Sequence, residues 1–298
     1  MTAVDDRPTS LRGTMRAYVA LTKPRIIELL LVTTVPAMIV AERGLPSLWL
    51  IAATLVGGTL AAASANTVNC YVDRDIDVHM HRTARRPLAT DAISPGNALR
   101  FGIVLGVGAF VWLVAAVNLL SGLLAVAAIL FYVFVYTLGL KRRSAQNIVI
   151  GGAAGCMPVL IGWSAVTGDV GLPAFVLFAI VFYWTPPHFW ALALKYEDDY
   201  RAAGVPMLPV VAGKAETSRQ ILLYTVLLVS VTLIFGPIGQ MGLIYLLAAV
   251  ALGGGFVLLA WQLRRDPTEA RAMRVFHYSI PYLALLFVAM AVDAIVIG

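Results

Sequence analysis

"NCYVDRDIDVHMHRTARRPL", residues 69–88, overlaps the end of an apolar run that extends over about residues 47–72. These twenty residues contain three aspartates, two histidines and four arginines. Such an abrupt change from apolar to charged sequence is typical of a helix that leaves a lipid bilayer. The stretch therefore predicts a membrane-embedded fold with a polar site at one edge.

The rest of the chain also predicts a membrane protein. Of its 298 residues, 60% are hydrophobic and 13% are charged, whereas a soluble domain carries about 25% charged residues. The apolar residues fall into blocks of about 20, the length that crosses a bilayer as a helix. We therefore predict an all-α polytopic fold of one domain, residues 1–298, with about nine transmembrane helices in one bundle around a central cavity. The blocks lie at about 24–43, 47–72, 98–119, 121–140, 147–166, 171–194, 220–238, 241–262 and 276–298.

The basic residues predict how this bundle is oriented. Of the 22 Lys and Arg residues, all but Arg43 fall on the same side of a nine-span bundle. The positive-inside rule makes that side cytoplasmic, so residues 1–22 form a cytoplasmic tail and the C-terminus is external. The net charge of +6 is then a topology signal, and we expect no nucleic-acid partner. Asp5, Asp6 and the missing apolar leader favour a multi-pass protein of a prokaryotic plasma membrane over a signal or transit peptide.

Four polar residues at the end of the second block share one helix face. At about 100° per residue, Asn66, Asn69, Asp73 and Asp77 fall within about 80° of one another, whereas Asp75 points the opposite way. Two amides and two carboxylates form a hard-oxygen ligand set, which suits Mg²⁺ bound together with substrate phosphates. The stripe predicts such a site at the mouth of the helix.

An arginine cluster follows this stripe, at Arg82, Arg85 and Arg86. Guanidinium groups match phosphate oxygens in a bidentate way, so the cluster predicts an anion site beside the metal site. The alternative is a solvated cytoplasmic loop whose arginines contact lipid headgroups. We favour the site because the asparagines extend the polar face back into the apolar helix, where polar side chains usually face a cavity.

A second polar segment, residues 188–210, leaves the sixth block on the same side. On a continuous helix, His188, Lys195 and Asp199 fall on one face. The connection over residues 195–219 is long, which is typical of a lid, and we expect it to lie beside the connection over residues 73–97. For His188 the alternative to a ligand-facing role is a hydrogen bond to a neighbouring helix.

Five stretches together resemble a known family, the UbiA-type intramembrane prenyltransferases. They are "LTKPRI" (21–26), "SANTVNCYVDRDID" (64–77), "RTARRPL" (82–88), "KRRSAQNIVIGGAAG" (141–155) and "PPHFWALALKYEDDYRAAGVPMLPV" (186–210). Their finer features are similar to the branch that attaches farnesyl to haem. This resemblance implies the reaction of haem B with farnesyl diphosphate and water, giving haem O and diphosphate, with Mg²⁺ as cofactor.

The resemblance also implies roles for individual residues. Catalytic residues are Asn69, Asp73, Asp77 and Asp199, of which the first three hold Mg²⁺. Diphosphate is bound by Arg82, Arg86, Lys141 and Lys195, haem is bound by His188, and Asn66 and Tyr200 complete the site. Aromatic candidates for stabilising an allylic cation are Tyr71, Tyr183, Trp184 and Phe189. Membrane lipid and a downstream haem A synthase are the expected partners.

Two other functions remain open at this point. A prenyltransferase for an aromatic acid shares the Asn/Asp stripe but needs neither His188 nor a cavity as wide as a porphyrin. A transporter or channel also places polar residues inside membrane helices, but here the acidic residues gather on one side of the bundle.

Overall fold

The structure is a computed structural model, which describes residues 10–81 and 83–297 without the side chains of residues 25–31. The described residues form helices and contain no strand. The helices are α1 (Leu11–Leu21), α2 (Pro24–Glu42), α3 (Leu48–Asp77), α4 (Pro95–Ala116), α5 (Leu119–Leu130), a π-helix (Phe131–Leu140), α6 (Asn147–Gly151), α7 (Ala153–Thr167), α8 (Leu172–Lys195), α9 (Glu197–Ala202), α10 (Leu208–Ile238), α11 (Leu243–Arg265) and α12 (Glu269–Ile297).

The predicted all-α membrane fold is confirmed. Within the described part of the chain, eight helical segments are long and apolar enough to cross a membrane, counting α5 with the π-helix and α6 with α7 as one segment each. Helix α2 is the ninth segment of the bundle, and its described apolar part is Val32–Glu42. Large apolar side chains such as Leu247 and Val250 are exposed on the outer faces, as expected where lipid replaces water.

Several helix starts follow from local sequence. Ser47, Ser94 and Asn118 each accept a hydrogen bond from a backbone N–H of the first turn of the helix that follows. Such caps satisfy donors that have no partner inside a helix. Helix α11 is capped differently, because its N-cap is Gly242 and Asp293 of α12 accepts from the N–H groups of Gly242 and Tyr245.

Two helices depart from ideal geometry close to the predicted site. Helix α5 continues as a π-helix, in which the Thr137 hydroxyl donates to the carbonyl of Tyr132, five residues earlier, at 2.8 Å. Helix α8 ends at Lys195, and α9 begins only after Tyr196. The prediction of a continuous helix from His188 to Asp199 is therefore wrong, and the three residues do not share one helix face.

The helices surround a central cavity. Helix α3 packs on α4, α8 packs on α10 and α12, and α2 packs on α7 and α12. Glycines permit close approach beside the cavity, because an added Cβ would collide with Tyr136 at Gly151 and with Thr185 at Gly152. The start of the α6–α7 segment is thereby held close to both the π-helix and α8.

Candidate active site

The central cavity has a volume of about 290 Å³ and is polar at one end. Its polar end is lined by Lys23, Asn66, Asn69, Asp77, Arg86 and Lys141. Its walls are lined by apolar side chains that include Ala61, Ile129, Met157, Ile161, Val181 and Leu283. A cavity of this composition can bind a molecule that has a charged head and a long apolar tail.

Three residues of the predicted stripe, Asn66, Asn69 and Asp77, line this polar end, and Asp73 lies behind them, where it accepts from Asn69. Asn66, Asn69, Asp73 and Asp77 are each at most 4% exposed. Asn66 donates to the carbonyl of Thr22 at 2.9 Å, which ties α3 to the turn between α1 and α2. Asp75 lies on the opposite face, as predicted, where Arg142 donates to both of its carboxylate oxygens.

Three residues of the stripe, Asn69, Asp73 and Asp77, are each paired with a cation from another part of the fold. Lys141 donates to Asp73, and Arg86 donates to both oxygens of Asp77 at 2.8 and 2.7 Å. The Lys23 ammonium donates to Asn69 Oδ1 at 2.6 Å. The site therefore holds three cations against two carboxylates and one amide, an excess of positive charge that suits an anionic ligand.

Asn69 is oriented by hydrogen bonds on both sides of its amide. Its NH₂ group donates to Asp73 Oδ2 at 2.7 Å and to the Thr137 hydroxyl at 3.2 Å, and its oxygen accepts from Lys23. The Thr137 hydroxyl donates its own hydrogen to Tyr132 and thus presents a lone pair to Asn69. The π-helix consequently sets the direction of the Asn69 oxygen.

Lys23 lies in an unusual environment. Its backbone adopts a left-handed conformation with φ 53°, which is uncommon for a residue other than glycine. Burial lowers the pKa of Lys23 to about 8, and the nearby positive charges of Arg86 and Lys141 add to this effect. An ammonium held in this way gains from an anion that binds beside it.

The residues of the stripe fit a magnesium ion that is also bound by phosphate. Asp73 Oδ1 is buried and accepts no hydrogen bond from a described residue, although the Arg142 guanidinium lies 3.8 Å from it. Among the described residues, no group of three His, Cys, Asp or Glu side chains lies close enough to hold a metal alone. Two carboxylates and an amide oxygen, completed by phosphate and water, form a suitable donor set for Mg²⁺.

The two polar segments meet, as the sequence predicts. His81 of the first connection and Asp199 of α9 form a contact of 2.8 Å between Nδ1 and Oδ1. Tyr200 and Met207 of the second connection line the cavity together with Met80 and Thr83 of the first. Asp199 itself is not among the described residues that line the cavity.

The structure places two other predicted site residues elsewhere. His188 is buried between α8 and α12, where its ring stacks on Trp184 and Phe276 and its Nδ1 lies 2.6 Å from the Ser279 hydroxyl. Lys195 lies 3.8 Å from Glu269 at the start of α12. Neither is among the described cavity-lining residues, and Arg82 lies outside the described part of the chain.

Of the four aromatic candidates, two line the cavity and two lie elsewhere. Trp184 and Phe189 line the cavity. Tyr183 packs against Phe182 and Tyr224, and Tyr71 lies under the guanidinium of Arg74. Only the first two are placed where they can contact a ligand in the cavity.

Sequence reasoning missed three residues at the site: Lys23, Thr137 and Asn147. Lys23 had a usable signal, since it is a cation next to a proline at the edge of an apolar block. Asn147, which is 1% exposed and lines the cavity, also had one, since it is an amide at the start of an apolar block. Thr137 had none, because a π-helix within an apolar block has no distinct sequence pattern.

Comparison with known proteins gives a consistent family assignment. A family model described as the UbiA prenyltransferase family matches residues 30–289. A protein of Parafrankia sp. (strain EAN1pec), named protoheme IX farnesyltransferase, is 60% identical over 283 residues, which cover 94% of this chain and 90% of the relative. A protein of the same name from Frankia alni is 59% identical over 289 residues, which cover 96% of this chain and 100% of the relative.

Solved structures share the fold at much lower sequence identity. A digeranylgeranylglyceryl phosphate synthase superposes with a TM-score of 0.78 at 18% identity, covering 95% of this chain and 99% of that one. A UbiA homolog from Archaeoglobus fulgidus, solved bound to DMAPP and Mg²⁺, superposes with a TM-score of 0.71 at 17% identity, covering 94% and 99%.

Proposed function

Since the chain belongs to the UbiA prenyltransferase family, we propose that it transfers the farnesyl group of farnesyl diphosphate to a vinyl group of haem B, with addition of water, to give haem O and diphosphate. The observation that carries this proposal is the cavity itself, in which a half-buried cationic rim adjoins apolar walls. The relatives named protoheme IX farnesyltransferase, at about 60% identity over nearly the whole chain, support farnesyl and haem as the substrates.

The rim binds the diphosphate of the donor. Lys23, Arg86 and Lys141 are buried or half-buried cations that line it. When the diphosphate enters, these cations exchange their contacts with Asn69, Asp77 and Asp73 for contacts with phosphate oxygens. The exchange keeps each cation paired, so binding need not expose a buried charge without a partner. Arg82 is proposed to act in the same way.

Asp73, Asp77 and Asn69 are the residues that would hold Mg²⁺ beside the diphosphate. Asp73 Oδ1 would exchange its 3.8 Å contact with Arg142 for the metal, and both oxygens of Asp77 would become available when Arg86 turns to the phosphate. The metal supplies charge neutralisation to the leaving diphosphate. The cations of the rim add to this effect, because they stabilise the negative charge that develops on diphosphate as the allylic C–O bond breaks.

The apolar walls take the farnesyl chain and part of the porphyrin. Trp184 and Phe189 line this region, where their ring faces can stabilise an allylic cation by about 0.5–2 kcal/mol. The walls also keep bulk water away from the cation, which must meet the vinyl group before it is quenched.

His188 stays a predicted haem ligand, and its hydrogen bonds favour the tautomer that such a ligand needs. The Ser279 hydroxyl donates to the carbonyl of Phe276 at 2.6 Å, so it accepts from His188 Nδ1–H. Nε2 then carries the lone pair of a neutral imidazole, which is the form that binds haem iron. The contact of Lys195 with Glu269 gives no support to its predicted role in diphosphate binding.

The same rim implies the orientation in the membrane. Since the cations lie at one end of the bundle, we propose that this end faces the cytoplasm and that the C-terminus is external. Within the proposed cytoplasmic tail, α1 exposes Leu11, Met15 and Val19 on one face, which suits a helix that lies on the membrane surface. Because haem O is apolar, we propose that the protein releases it to a downstream haem A synthase.

The test is a transfer assay with the full-length protein in phospholipid nanodiscs. Radiolabelled farnesyl diphosphate is supplied with haem B or with 4-hydroxybenzoate, with Mg²⁺ or with a chelator. We expect label in haem O and only in the presence of Mg²⁺. Label on 4-hydroxybenzoate instead would assign an aromatic acceptor, and transfer to neither acceptor would contradict the proposal.

A further inference from the structure

Asn147 has an amide oxygen that the contacts of the protein leave without a partner. It is the first residue of α6, is 1% exposed, and lines the central cavity. Its NH₂ group donates to the carbonyl of Lys141 at 3.4 Å. Its Oδ1 is buried and accepts no hydrogen bond from any residue that the structure describes.

The contact with Lys141 fixes the orientation of the Asn147 amide. A backbone carbonyl only accepts hydrogen bonds, so the NH₂ group of Asn147 must lie against it. The oxygen is thereby turned away from Lys141. A buried amide oxygen without a partner is destabilising, which makes this atom a candidate for binding a ligand that donates a hydrogen bond.

The chemistry of the proposed substrates narrows that ligand to water. Diphosphate oxygens would be repelled by an amide oxygen, and neither the farnesyl chain nor a haem vinyl group carries a hydrogen-bond donor. A second metal ion is disfavoured, because Asp77 is the only carboxylate among the described cavity-lining residues and the proposed Mg²⁺ already uses it.

A second polar partner for this water lies on the same side of the cavity. Thr185 lines the cavity and packs against Gly152, five residues after Asn147. Its hydroxyl donates to the carbonyl of Val181 at 2.8 Å, which leaves an oxygen lone pair to accept from water. A water molecule in an apolar cavity needs about two such partners to be held in place.

We propose that Asn147 Oδ1 holds the water molecule that completes the reaction. This inference rests on the proposed function. The allylic C–O bond breaks and its electron pair leaves with diphosphate. The farnesyl cation then bonds to the terminal vinyl carbon, which places the positive charge on the carbon next to the porphyrin. The oxygen of the held water bonds to that carbon, and its proton passes to the released diphosphate, so the product is haem O.

Loss of this water has a distinctive chemical consequence. A cation that is not captured by water loses a proton from the adjacent carbon instead. The product is then a farnesylated haem that contains an alkene and is lighter than haem O by one water molecule. The ratio of hydrated to unhydrated product therefore reports on Asn147 separately from the rate of farnesyl transfer.

The test compares Asn147→Leu with the wild type by mass spectrometry of the haem products, in the presence of heavy-oxygen water. We expect the ratio of hydrated to unhydrated product to fall by about tenfold, the effect of losing one hydrogen bond in the capture step. Farnesyl diphosphate consumption should change much less. The matched control is Asn97→Leu, since Asn97 is exposed at the start of α4, and it should keep the wild-type ratio.

Two further variants keep the result interpretable. Asn147→Asp retains an acceptor oxygen and should recover most of the hydrated product. Asn147→Ala removes the oxygen without adding bulk. If Asn147→Leu does not fold, the ratio of hydrated to unhydrated product is measured for Asn147→Ala instead.

An unchanged ratio in the folded variants overturns the proposal for Asn147 alone. The proposal for Asn147 is also overturned if a variant still binds farnesyl diphosphate but transfers no farnesyl group and forms no unhydrated product. If the wild type makes no farnesylated haem, the proposed function fails and this inference fails with it.

Discussion

Arg86 donates to both carboxylate oxygens of Asp77, at 2.8 and 2.7 Å, and these are the oxygens that the proposed function assigns to a metal. The same arrangement recurs between Lys141 and Asp73. In the proposed mechanism, the cations of the rim therefore hold the carboxylate oxygens that would bind Mg²⁺ once the diphosphate is present. The following predictions separate the structural part of these pairs from their part in catalysis.

The first prediction concerns removal of one member of the pair. In Arg86→Gln the Asp77 carboxylate, 4% exposed in the folded protein, loses its partner, and we expect destabilisation of about 3 kcal/mol. Farnesyl diphosphate should also bind more weakly. Thermal unfolding in detergent and equilibrium binding measure the two effects. The control Arg85→Gln, at an exposed position, should alter both only slightly.

The double variant Asp77→Asn with Arg86→Gln distinguishes the two roles. Because it removes both charges, it should recover most of the lost stability. It should not recover turnover, since the metal ligand and the phosphate-binding cation are both absent. Recovery of turnover together with stability would show that the pair is only structural.

The second prediction compares two aspartates on opposite faces of α3. Asp73→Asn should lower the rate of farnesyl transfer by a factor of about 100 or more, because it removes a carboxylate that is proposed to hold Mg²⁺ against the diphosphate. Asp75→Asn is the matched control, since Asp75 is 60% exposed and pairs with Arg142 outside the cavity. Similar losses in both variants, measured as kcat in the transfer assay, would contradict the assignment.

The contrast between these two aspartates was predictable from the sequence, and other parts of the site were not. The helical period alone places Asn66, Asn69, Asp73 and Asp77 on one face, because α3 is regular to its end at Asp77. The pairing of Asp73 with Lys141 joins residues 68 positions apart, and such a contact depends on how the helices pack. Local sequence carries no information on it.

The same reasoning failed where the backbone departs from an ideal helix. His188 and Asp199 share a face only if the helix continues through Tyr196. Helix α8 ends there, and Asp199 instead contacts His81. His188 makes the alternative contact, a hydrogen bond to a neighbouring helix, through Ser279 of α12. Thr137 could not be found at all, since its position depends on the π-helix.

The third prediction tests that π-helix contact. Thr137→Val keeps the size of the side chain but removes the oxygen that accepts from Asn69. We expect kcat to fall by about tenfold through loss of one orienting hydrogen bond, with little change in KM for haem. Thr225→Val is the control, because Thr225 is equally buried but bonds only to the carbonyl of Ile221 in its own helix. A larger effect in the control would argue for a general loss of stability.

The fourth prediction concerns a carboxylate remote from the site. Asp293 is 1% exposed and caps α11 by accepting from the N–H groups of Gly242 and Tyr245. Asp293→Ala should destabilise the fold by about 1–2 kcal/mol, the usual effect of losing a helix cap. The transfer rate at a temperature where the variant is folded should be unchanged. The exposed Asp169→Asn is the control for thermal unfolding, and a loss of rate at full folding would show that Asp293 has a further role.

The last prediction follows from the ion pairs that Asp73 and Asp77 form with cations of the rim. Since Lys141 and Arg86 neutralise Asp73 and Asp77, the protein without diphosphate offers Mg²⁺ little net negative charge. Mg²⁺ alone should therefore bind weakly, with no saturation below millimolar concentration. When a diphosphate draws the cations away and adds its own oxygens, Mg²⁺ should bind at least about tenfold more tightly.

Isothermal titration of Mg²⁺ with and without inorganic diphosphate, corrected for binding of Mg²⁺ to diphosphate in solution, measures the difference. By reciprocity, Mg²⁺ must tighten diphosphate binding by the same factor. Tight Mg²⁺ binding to the protein alone would mean that the ion pairs do not compete with the metal, and the proposed exchange of partners would be wrong.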